Sequence, residues 1–556
     1  MELTGAQILA RSLIEQGADI VFGYPGGQAI NIFDALCEYA DELRVILPSH
    51  EQGGTHAADG YARVSGKCGV MIATSGPGAT NLVTGIANAY MDSIPLVCIT
   101  GNVPRSLIGR DSFQEVDICG VTLPITKHNF LVGDVRELAR TVREAFTIAV
   151  SGRPGPVLID IPKDITAEAC AYVPAGRYEP RITPAPNAAG IQKAAEILAQ
   201  GERPLIFCGG GVVGAGASEL LRAFAERRGI PVTASLMGLT ALPARHPLML
   251  GMLGMHGTPV SNYAAGECDV LLAIGARFSD RVAGDRSCFA PNAKLVHLDI
   301  DASEFDKNVV CDLNVSGDAK ELIALLDAAA PPVGEYGAWL EELSRFRASH
   351  PMPEEKEPGR ANPRGIVRAA AEFAGEDAIV VTDVGQHQMW TAEYYPFVKP
   401  RSLITSGGLG AMGFGMGAAV GAKTAAPDRP VLLFTGDGCI HMDAAELATA
   451  VTENLPFVTV LMNNGVLGMV RQWQSIFFGG RYSCTTLYRN TDYLKLVEAF
   501  GGLGFRADTM EEVRAALKEA FASNRVCLID CHIDPDEKVF PMIPAGKSGK
   551  DIIYGE

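Results

Sequence analysis

Residues 431–469 read VLLFTGDGCIHMDAAELATAVTENLPFVTVLMNNGVLGM. The opening run, 431–435, is short and apolar, as expected of a strand buried on both faces of a parallel sheet. Gly436-Asp437-Gly438 predicts a tight turn that leaves one carboxylate at the carboxyl end of that strand. Residues 443–452 follow with the spacing of an amphipathic helix, and 457–462 form a second apolar run ending in Asn463-Asn464. Strand, helix and strand make a βαβ unit, whose right-handed crossover brings both strand ends to one edge of the sheet. Asp437 and Asn464 therefore converge where open α/β sheets bind ligands. Their oxygens suit a hard cation, and two protein ligands with open positions suit Mg²⁺ held together with a phosphate group. Taken separately, GDG reads as a loop and NN as a helix cap; the pair in this context carries the metal reading.

Outward from that stretch, 556 residues exceed one core and predict about three or four domains. The composition, 47% hydrophobic and 20% charged, is that of a globular protein. An excess of 64 acidic over 47 basic residues, net −17, argues against nucleic acid or an anionic membrane as the main partner. It leaves room for phosphate binding through backbone amides and a metal. The 13 cysteines are scattered and form no CxxC pair, which predicts free thiols in a reducing cytoplasm. The chain begins directly on a helix pattern, without the features of a secretory signal. Residues 407–422, GGLGAMGFGMGAAVGA, are too short and too glycine-rich for a membrane span and predict a closely packed loop and helix.

Three α/β units are expected, at 1–168, 189–330 and 364–535, with a tail at 536–556. In the first, a helix (5–17) precedes a strand (20–23) and the turn 24–27; a strand (70–74), a turn (75–78), a helix (79–90) and a strand (96–100) follow, and 155–161 closes the unit. This repeats the order of the 431–469 stretch with few identical residues. Residues 170–188 and 331–363 read as linkers, the second with a helical piece. In the second unit the strand 204–208 leads into Gly209, Gly211 and Gly214, spaced as GxGxxG, then a helix (217–228); LVHLDID ends later in Asp299 and Asp301. Alone, this is equally a nucleotide site or a structural glycine turn. In the third unit the strand 378–382 ends in Asp383-Val384-Gly385-Gln386-His387, another candidate edge for phosphate contacts. The apolar start of the tail, FPMIPAG, predicts docking. The fold class is α/β, with three doubly wound parallel sheets.

GDG followed by NN at a strand end resembles the diphosphate-binding signature of thiamine diphosphate (ThDP) enzymes. The resemblance implies that Asp437, the Asn464 side chain and the Val466 carbonyl hold Mg²⁺. ThDP also needs a carboxylate beside its pyrimidine nitrogen, from a different unit than the diphosphate site. Glu51, in PSHEQGG between the strand 45–47 and the helix 57–63, is the first unit's candidate. Taken locally it reads as a helix-capping glutamate.

LPSHEQGGTHAADGYARVSGK (47–67), ATSGPGATNLVTGIANAYMDSIPLVCITGNVP (73–104) and the GDG–NN stretch together resemble the catalytic subunits of the acetolactate synthase family, over nearly the whole chain. On that resemblance the units are a pyrimidine-binding, a central FAD-binding and a diphosphate-binding domain, and the tail covers the site. Glu51 matches the catalytic glutamate. Gly385, Gln386, His387, Met389, Gly410, Met412, Gly436, Gly438, Cys439 and Asn464 fall on ThDP contacts, with Met412 the wedge that keeps the cofactor bent. Arg281, in GARFSDR, matches the arginine that meets a 2-oxo acid carboxylate, a task suited to a guanidinium fork; locally it reads as an ion pair with Asp280 or Asp285. Trp473 matches the tryptophan that shapes the pocket for the second 2-oxo acid. Pro104, Phe113, Gln114 and Lys163 complete the substrate channel. Arg153, Gly209, Gly210, Gly211, Leu236, Met237, Gly254, Met255, His256, Gly257, Gly275, Arg277, Asp299 and Asp318 match positions around a structural FAD.

The activity implied is decarboxylation of pyruvate and joining of the two-carbon unit to pyruvate or 2-oxobutyrate, in valine, leucine and isoleucine synthesis. A homodimer or homotetramer, with each site between two subunits, and a small regulatory subunit are implied as well. Ser279, Ser106, Gly417 and Cys439 depart from common family residues, and none removes a catalytic group. Two other readings stand beside this one: a different ThDP enzyme (a flavin-free acetolactate synthase, a pyruvate oxidase or a glyoxylate carboligase), and a non-catalytic nucleotide-binding protein. Arg281 with Trp473 favours the biosynthetic synthase, Glu51 opposes the carboligase, and Glu51, Asp437 and Asn464 together oppose the non-catalytic protein.

Overall fold

The computed structural model describes residues 2–181, 183–330, 336–354 and 360–555. Three six-stranded sheets, parallel throughout, form its framework. Their inner strands are largely apolar runs because helices cover both faces. In the first sheet the strands lie in the order Arg44–Ile46, Ile20–Tyr24, Gly69–Ala73, Leu96–Asn102, Pro156–Pro162, His128–Leu131. In the third the order is Leu403–Ile404, Ile379–Thr382, Val431–Gly436, Val458–Asn463, Cys527–His532, Leu503–Ala507. Numbered within each domain, both read 2-1-3-4-6-5, so the repeat seen in the sequence is a repeat of topology. The central sheet runs Met249–Met252, Val232–Ala234, Pro204–Cys208, Val270–Ile274, Lys294–Asp299, Leu313–Ser316, or 3-2-1-4-5-6, the Rossmann order.

Strand order fixes where ligands can sit. The direction of winding reverses between strands 1 and 3 of the outer sheets and between strands 1 and 4 of the central one, opening a crevice at the carboxyl edge. In the third domain this crevice lies between Thr382 and Gly436. Register sets Gly436 opposite Met462, so the GDG and NN segments leave the sheet at the same level.

The first and third domains share one hydrophobic core. Helix Glu51–Ser65 crosses helix Gly415–Ala425 at backbone contact. A Cβ on Gly421 would lie 1.8 Å from the Ala57 carbonyl oxygen, one on Gly60 2.3 Å from that of Ala418, and one on Gly417 2.4 Å from that of Gly53. Glycine on both helices permits this approach and accounts for the glycine-rich 407–422 stretch. Among the described residues no helix is long and apolar enough to cross a membrane.

Several helix starts differ from the sequence expectation. Gly436 ends its strand and caps a helix, Asp437–Asp443, in place of the tight turn; a second helix, Glu446–Thr452, covers most of the expected 443–452. The helix expected at 57–63 begins at Glu51, capped by His50, whose Nδ1 accepts the Gln52 amide at 3.1 Å. Gly210–Gly214 is a short helix where a turn was expected, and 79–90 divides into Pro77–Thr80 and Val83–Asp92. Where the first linker begins, Ala169–Ala171 pairs antiparallel with Glu2–Thr4. Of the second, residues 331–335 and 355–359 lie outside the described residues, and Gly337–Ser349 is helical, with the Trp339 indole donating to the Pro204 carbonyl at 3.1 Å. The tail docks through its apolar start: Phe540 and Met542 pack with Met255, against Trp473 and Ile476.

Candidate functional site

At the third domain's crevice, Asp437 is the first residue of its helix and is buried. Its carboxylate accepts the Gly465 amide at 2.8 Å and the Gly438 amide at 3.2 Å. Burial nevertheless raises its pKa to about 6, the mark of a carboxylate short of positive charge. Asn464 lies beside it: its Oδ1 accepts the Val466 amide at 3.1 Å and its Nδ2 donates to Gln386 Oε1 at 3.4 Å. Gln386 and His387 open the helix that follows Ile379–Thr382. A Cβ on Gly385 or Gly436 would come within 3.0 or 3.1 Å of the His387 ring, so two glycines leave open the space around it. That ring is buried, its Nε2 has no partner among the described residues, and burial depresses its pKa to about 3. A neutral imidazole nitrogen without a partner, helix N-termini and an under-neutralised carboxylate fit a diphosphate carried by a dication. Met412 reaches over the same turn, its methyl 3.5 Å from a Cβ placed on Gly438. Cys439 fills space beneath: its thiol donates to the Val384 carbonyl at 3.2 Å, and burial pushes its pKa well up. Gly410 stands in the left-handed conformation, φ 72°, and Met389 packs between the central and third cores.

Glu51 lies at the corresponding edge of the first domain. Its carboxylate is buried and accepts Asn81 Nδ2 at 2.9 Å. A Cβ on Gly78 would stand 3.2 Å from Glu51 Oε1, and one on Gly76 2.8 Å from the backbone of Gln114. Gln114 thus borders the Glu51 crevice, with φ 58°, beside the outward-facing Phe113. Lys163 and Pro104 follow the neighbouring strands Pro156–Pro162 and Leu96–Asn102 at the same edge. No hydrogen bond or ion pair joins Glu51 to Met412, Asp437 or Asn464 of the same chain among the described residues.

The two domains hold each other's site segments. Asp92 of the first accepts the Gly407 and Gly408 amides, at 3.1 and 2.7 Å, just before Gly410 and Met412. Glu446 of the third accepts the His50 and Ser49 amides, at 3.0 and 3.2 Å, just before Glu51. Sequence reasoning missed Glu446, Asp92 and Asn81; each lies inside a stretch singled out for other residues, and its partner comes close only in the folded chain.

Arg281, Trp473 and Met255 meet at a third point. The Arg281 guanidinium lies 5.6 Å from the Trp473 ring centre and 3.9 Å from Met255 Sδ, with Asp280 3.7 Å away. The guanidinium is largely exposed, so the Asp280 pair is weak and its fork is free to bind an anion. The tail completes the wall: the Ile543 amide donates to the Met255 carbonyl at 2.8 Å. It is also tied to the Asp437–Asn464 edge. Gln472 exchanges two hydrogen bonds with the Val539 backbone, at 2.9 and 3.1 Å, and receives Gln386 Nε2 at 3.0 Å. His256, beside the tail, is buried and its pKa falls to about 4.

In the central domain Gly209, Gly211 and Gly275 meet at the crevice between strands 1 and 4. A Cβ on Gly209 would lie 2.1 Å from the Gly275 oxygen, and a Cβ on Gly275, φ 54°, would lie 2.8 Å from the Gly211 Cα. Packing therefore requires these glycines irrespective of a ligand. Gly210 faces Met237 on the short Leu236–Gly238 helix, and Gly254 and Gly257 turn the chain after Met249–Met252. Strand 2, Val232–Ala234, is followed by Ser235, not by the acidic residue a NAD fingerprint needs there. The acids lie at the opposite side: Asp299 ends strand 5, and Asp318 follows strand 6 as a helix cap. Arg277 is half-buried after strand 4. Arg153 of the first domain reaches over to Asp301 at 3.1 Å and Glu304 at 2.8 Å.

Three parallel-sheet domains with these crevices define the class of thiamine diphosphate enzymes. Family models for such enzymes match in order: the N-terminal TPP binding domain at residues 3–121, the central domain at 191–326 and the C-terminal TPP binding domain at 383–531. The chain is 46% identical to an acetolactate synthase of Mycobacterium bovis, over 99% of this chain and 91% of that protein. It is 45% identical to the acetolactate synthase large subunit of Corynebacterium glutamicum, over 99% and 90%. With acetolactate synthase isozyme 2 large subunit of Escherichia coli it shares 44%, over 99% of both chains. The chain belongs to the acetolactate synthase large-subunit family.

Proposed function

We propose that this protein is an acetolactate synthase, converting two molecules of pyruvate to 2-acetolactate and CO₂, and using 2-oxobutyrate as alternative acceptor in branched-chain amino acid synthesis. The observation that carries the reading is the pairing of a buried carboxylate, Glu51, at one domain's sheet edge with the Asp437–Asn464 pair at the equivalent edge of a domain of identical topology. Two crevices of this kind suit the two ends of ThDP.

Asp437, the Asn464 side chain and the Val466 carbonyl would hold Mg²⁺, with Gly385, Gln386 and His387 around the diphosphate. ThDP, when bound, supplies a carbon nucleophile that lets a 2-oxo acid lose CO₂ and passes the remaining two-carbon unit on. Glu51 would hold a proton at the pyrimidine ring nitrogen. Arg281 binds the carboxylate of a 2-oxo acid, and Trp473 with Met255 shapes the acceptor space. Gln114, Lys163 and Phe113 line the approach, while Phe540 and Met542 of the tail exclude water. The central domain would hold FAD in a structural role, with Gly209–Gly211, Asp299 and Asp318 among the residues around it.

A homodimer at least is part of this reading. Among the described residues no hydrogen bond or ion pair joins Glu51 to the Asp437–Asn464 pair of its own chain, and exposed apolar groups near both edges (Leu47 54%, Phe113 84%, Met442 57%, Phe478 54%) suit burial by a second copy. The name large subunit carried by the relatives supports a small regulatory partner. Thirteen free thiols, several of them buried, suit a reducing cytoplasm.

The test is product identity. Protein given ThDP, Mg²⁺, FAD and pyruvate should form acetolactate and CO₂. Acetaldehyde, or acetate with electron transfer, would keep the ThDP class and overturn the synthase; acetolactate formed equally well without FAD would point to the flavin-free type.

A further inference from the structure

Glu51 begins a 15-residue helix, and the backbone just before it is held by another domain. Glu446, buried in helix Glu446–Thr452, aims its carboxylate at that helix start. Oε1 accepts the His50 amide at 3.0 Å and Oε2 the Ser49 amide at 3.2 Å. Thr449 Oγ1 donates to Oε2 at 2.6 Å and fixes the carboxylate's orientation. Ser49 Oγ adds a bond to the Ala445 carbonyl at 2.7 Å. The fit is close: a Cβ on Gly53 would lie 2.2 Å from Glu446 Oε1. Burial raises the pKa of Glu446, with its amide and hydroxyl donors acting in the opposite direction.

We propose that Glu446 is a positioning residue for Glu51, an anionic cap supplied by the third domain that sets the turn from which the Glu51 side chain projects. A carboxylate at a helix N-terminus satisfies free amides and meets the positive end of the dipole. Its location gives it a further consequence. Asp437–Asp443 and Glu446–Thr452 are consecutive helices, so one short rigid segment carries the cation-side Asp437 at one end and grips the Glu51 turn at the other. The inference rests on the ThDP reading of Glu51 and Asp437 and adds a link within one chain, between the Glu51 that serves one site of the proposed dimer and the Asp437 that serves the other.

The test measures exchange of the C2 proton of bound ThDP in D₂O without pyruvate, alongside ThDP affinity at saturating Mg²⁺. Displacement of a group from its working geometry by a fraction of an ångström to 1 Å predicts that Glu446→Gln slows exchange about tenfold to a hundredfold, while affinity, set at the diphosphate, changes by less than about threefold. Thr449→Val, which removes only the orienting hydroxyl, should slow exchange in the same direction by a smaller factor, and it decides the matter if Glu446→Gln does not fold. Because Glu446 acts through Glu51, adding Glu446→Gln to Glu51→Gln should produce no further slowing. Parent-like exchange in both Glu446→Gln and Thr449→Val, or a full additional loss in the double variant, would overturn the inference and leave the role of Glu51 standing. Parent-like exchange in Glu51→Gln alone would overturn the reading of Glu51, and the inference with it.

Discussion

His56 is fully buried on the helix that Glu51 begins, edge-on to Phe414 at 5.2 Å, and neither ring nitrogen has a partner among the described residues. Burial first, then the charge of Arg63, lowers its pKa from 6.5 to about 3. The folded protein therefore keeps the ring neutral while the unfolded chain takes up a proton. The stability this provides is complete above pH 6.5 and is lost progressively as pH falls toward about 3. One such group costs about 1.4 kcal/mol per pH unit in that window. Chemical denaturation at pH 7, 6 and 5 should show His56→Phe with a shallower loss than the parent, by about one proton; parallel slopes would contradict the burial argument. At this scale the sequence was informative where chemistry and position coincide. Asp437 and Asn464 could be placed because apolar runs end just before them. Glu446 could not: its partners, Ser49 and His50, are backbone amides of another domain, and no residue-type pattern encodes such a contact.

Helices Glu51–Ser65 and Gly415–Ala425 are the joint through which the two site-bearing domains meet. Gly421→Ala puts a methyl group 1.8 Å from the Ala57 oxygen and can be accommodated only by parting the helices. Overpacking of this kind costs about 1–3 kcal/mol. Gly266→Ala, in helix Pro259–Glu267 with nothing within 4 Å of the new carbon, is the control and should be neutral or mildly stabilising. Equal melting temperatures for the two variants would contradict the close crossing. Strands were legible as elements because burial on both faces writes them as apolar runs. Helix starts were missed where the cap is unusual: Gly436 caps without a side chain, and His50 caps through an imidazole nitrogen. Reading 407–422 as a packed loop and helix agreed with the structure for a physical reason, since glycine density signals close backbone approach.

For the whole molecule, identical topology in the first and third domains places two equivalent crevices on one chain, and in the proposed dimer each site is filled from two copies. Mixing subunits tests this. If Glu51 of one chain serves the Asp437 of another, Glu51→Gln and Asp437→Asn chains, each inactive alone, form heterodimers with one intact site. Random exchange then restores about a quarter of the parent activity; no restoration after demonstrated exchange would place each site within one chain. The α/β class with parallel sheets could be read from apolar runs and glycine turns, whereas the hydrogen bonds tying the tail to Gln472, and Gln472 to Gln386, belong to tertiary geometry. The most direct test of the central claim, that Glu51 and Asp437 serve opposite ends of one bound ThDP, compares acetolactate formation and ThDP affinity in the two single variants. Glu51→Gln should lose about a hundredfold to ten-thousandfold in turnover while still binding ThDP and Mg²⁺, and Asp437→Asn should lose cofactor binding itself. A Glu51→Gln protein that makes acetolactate at the parent's rate would contradict the account.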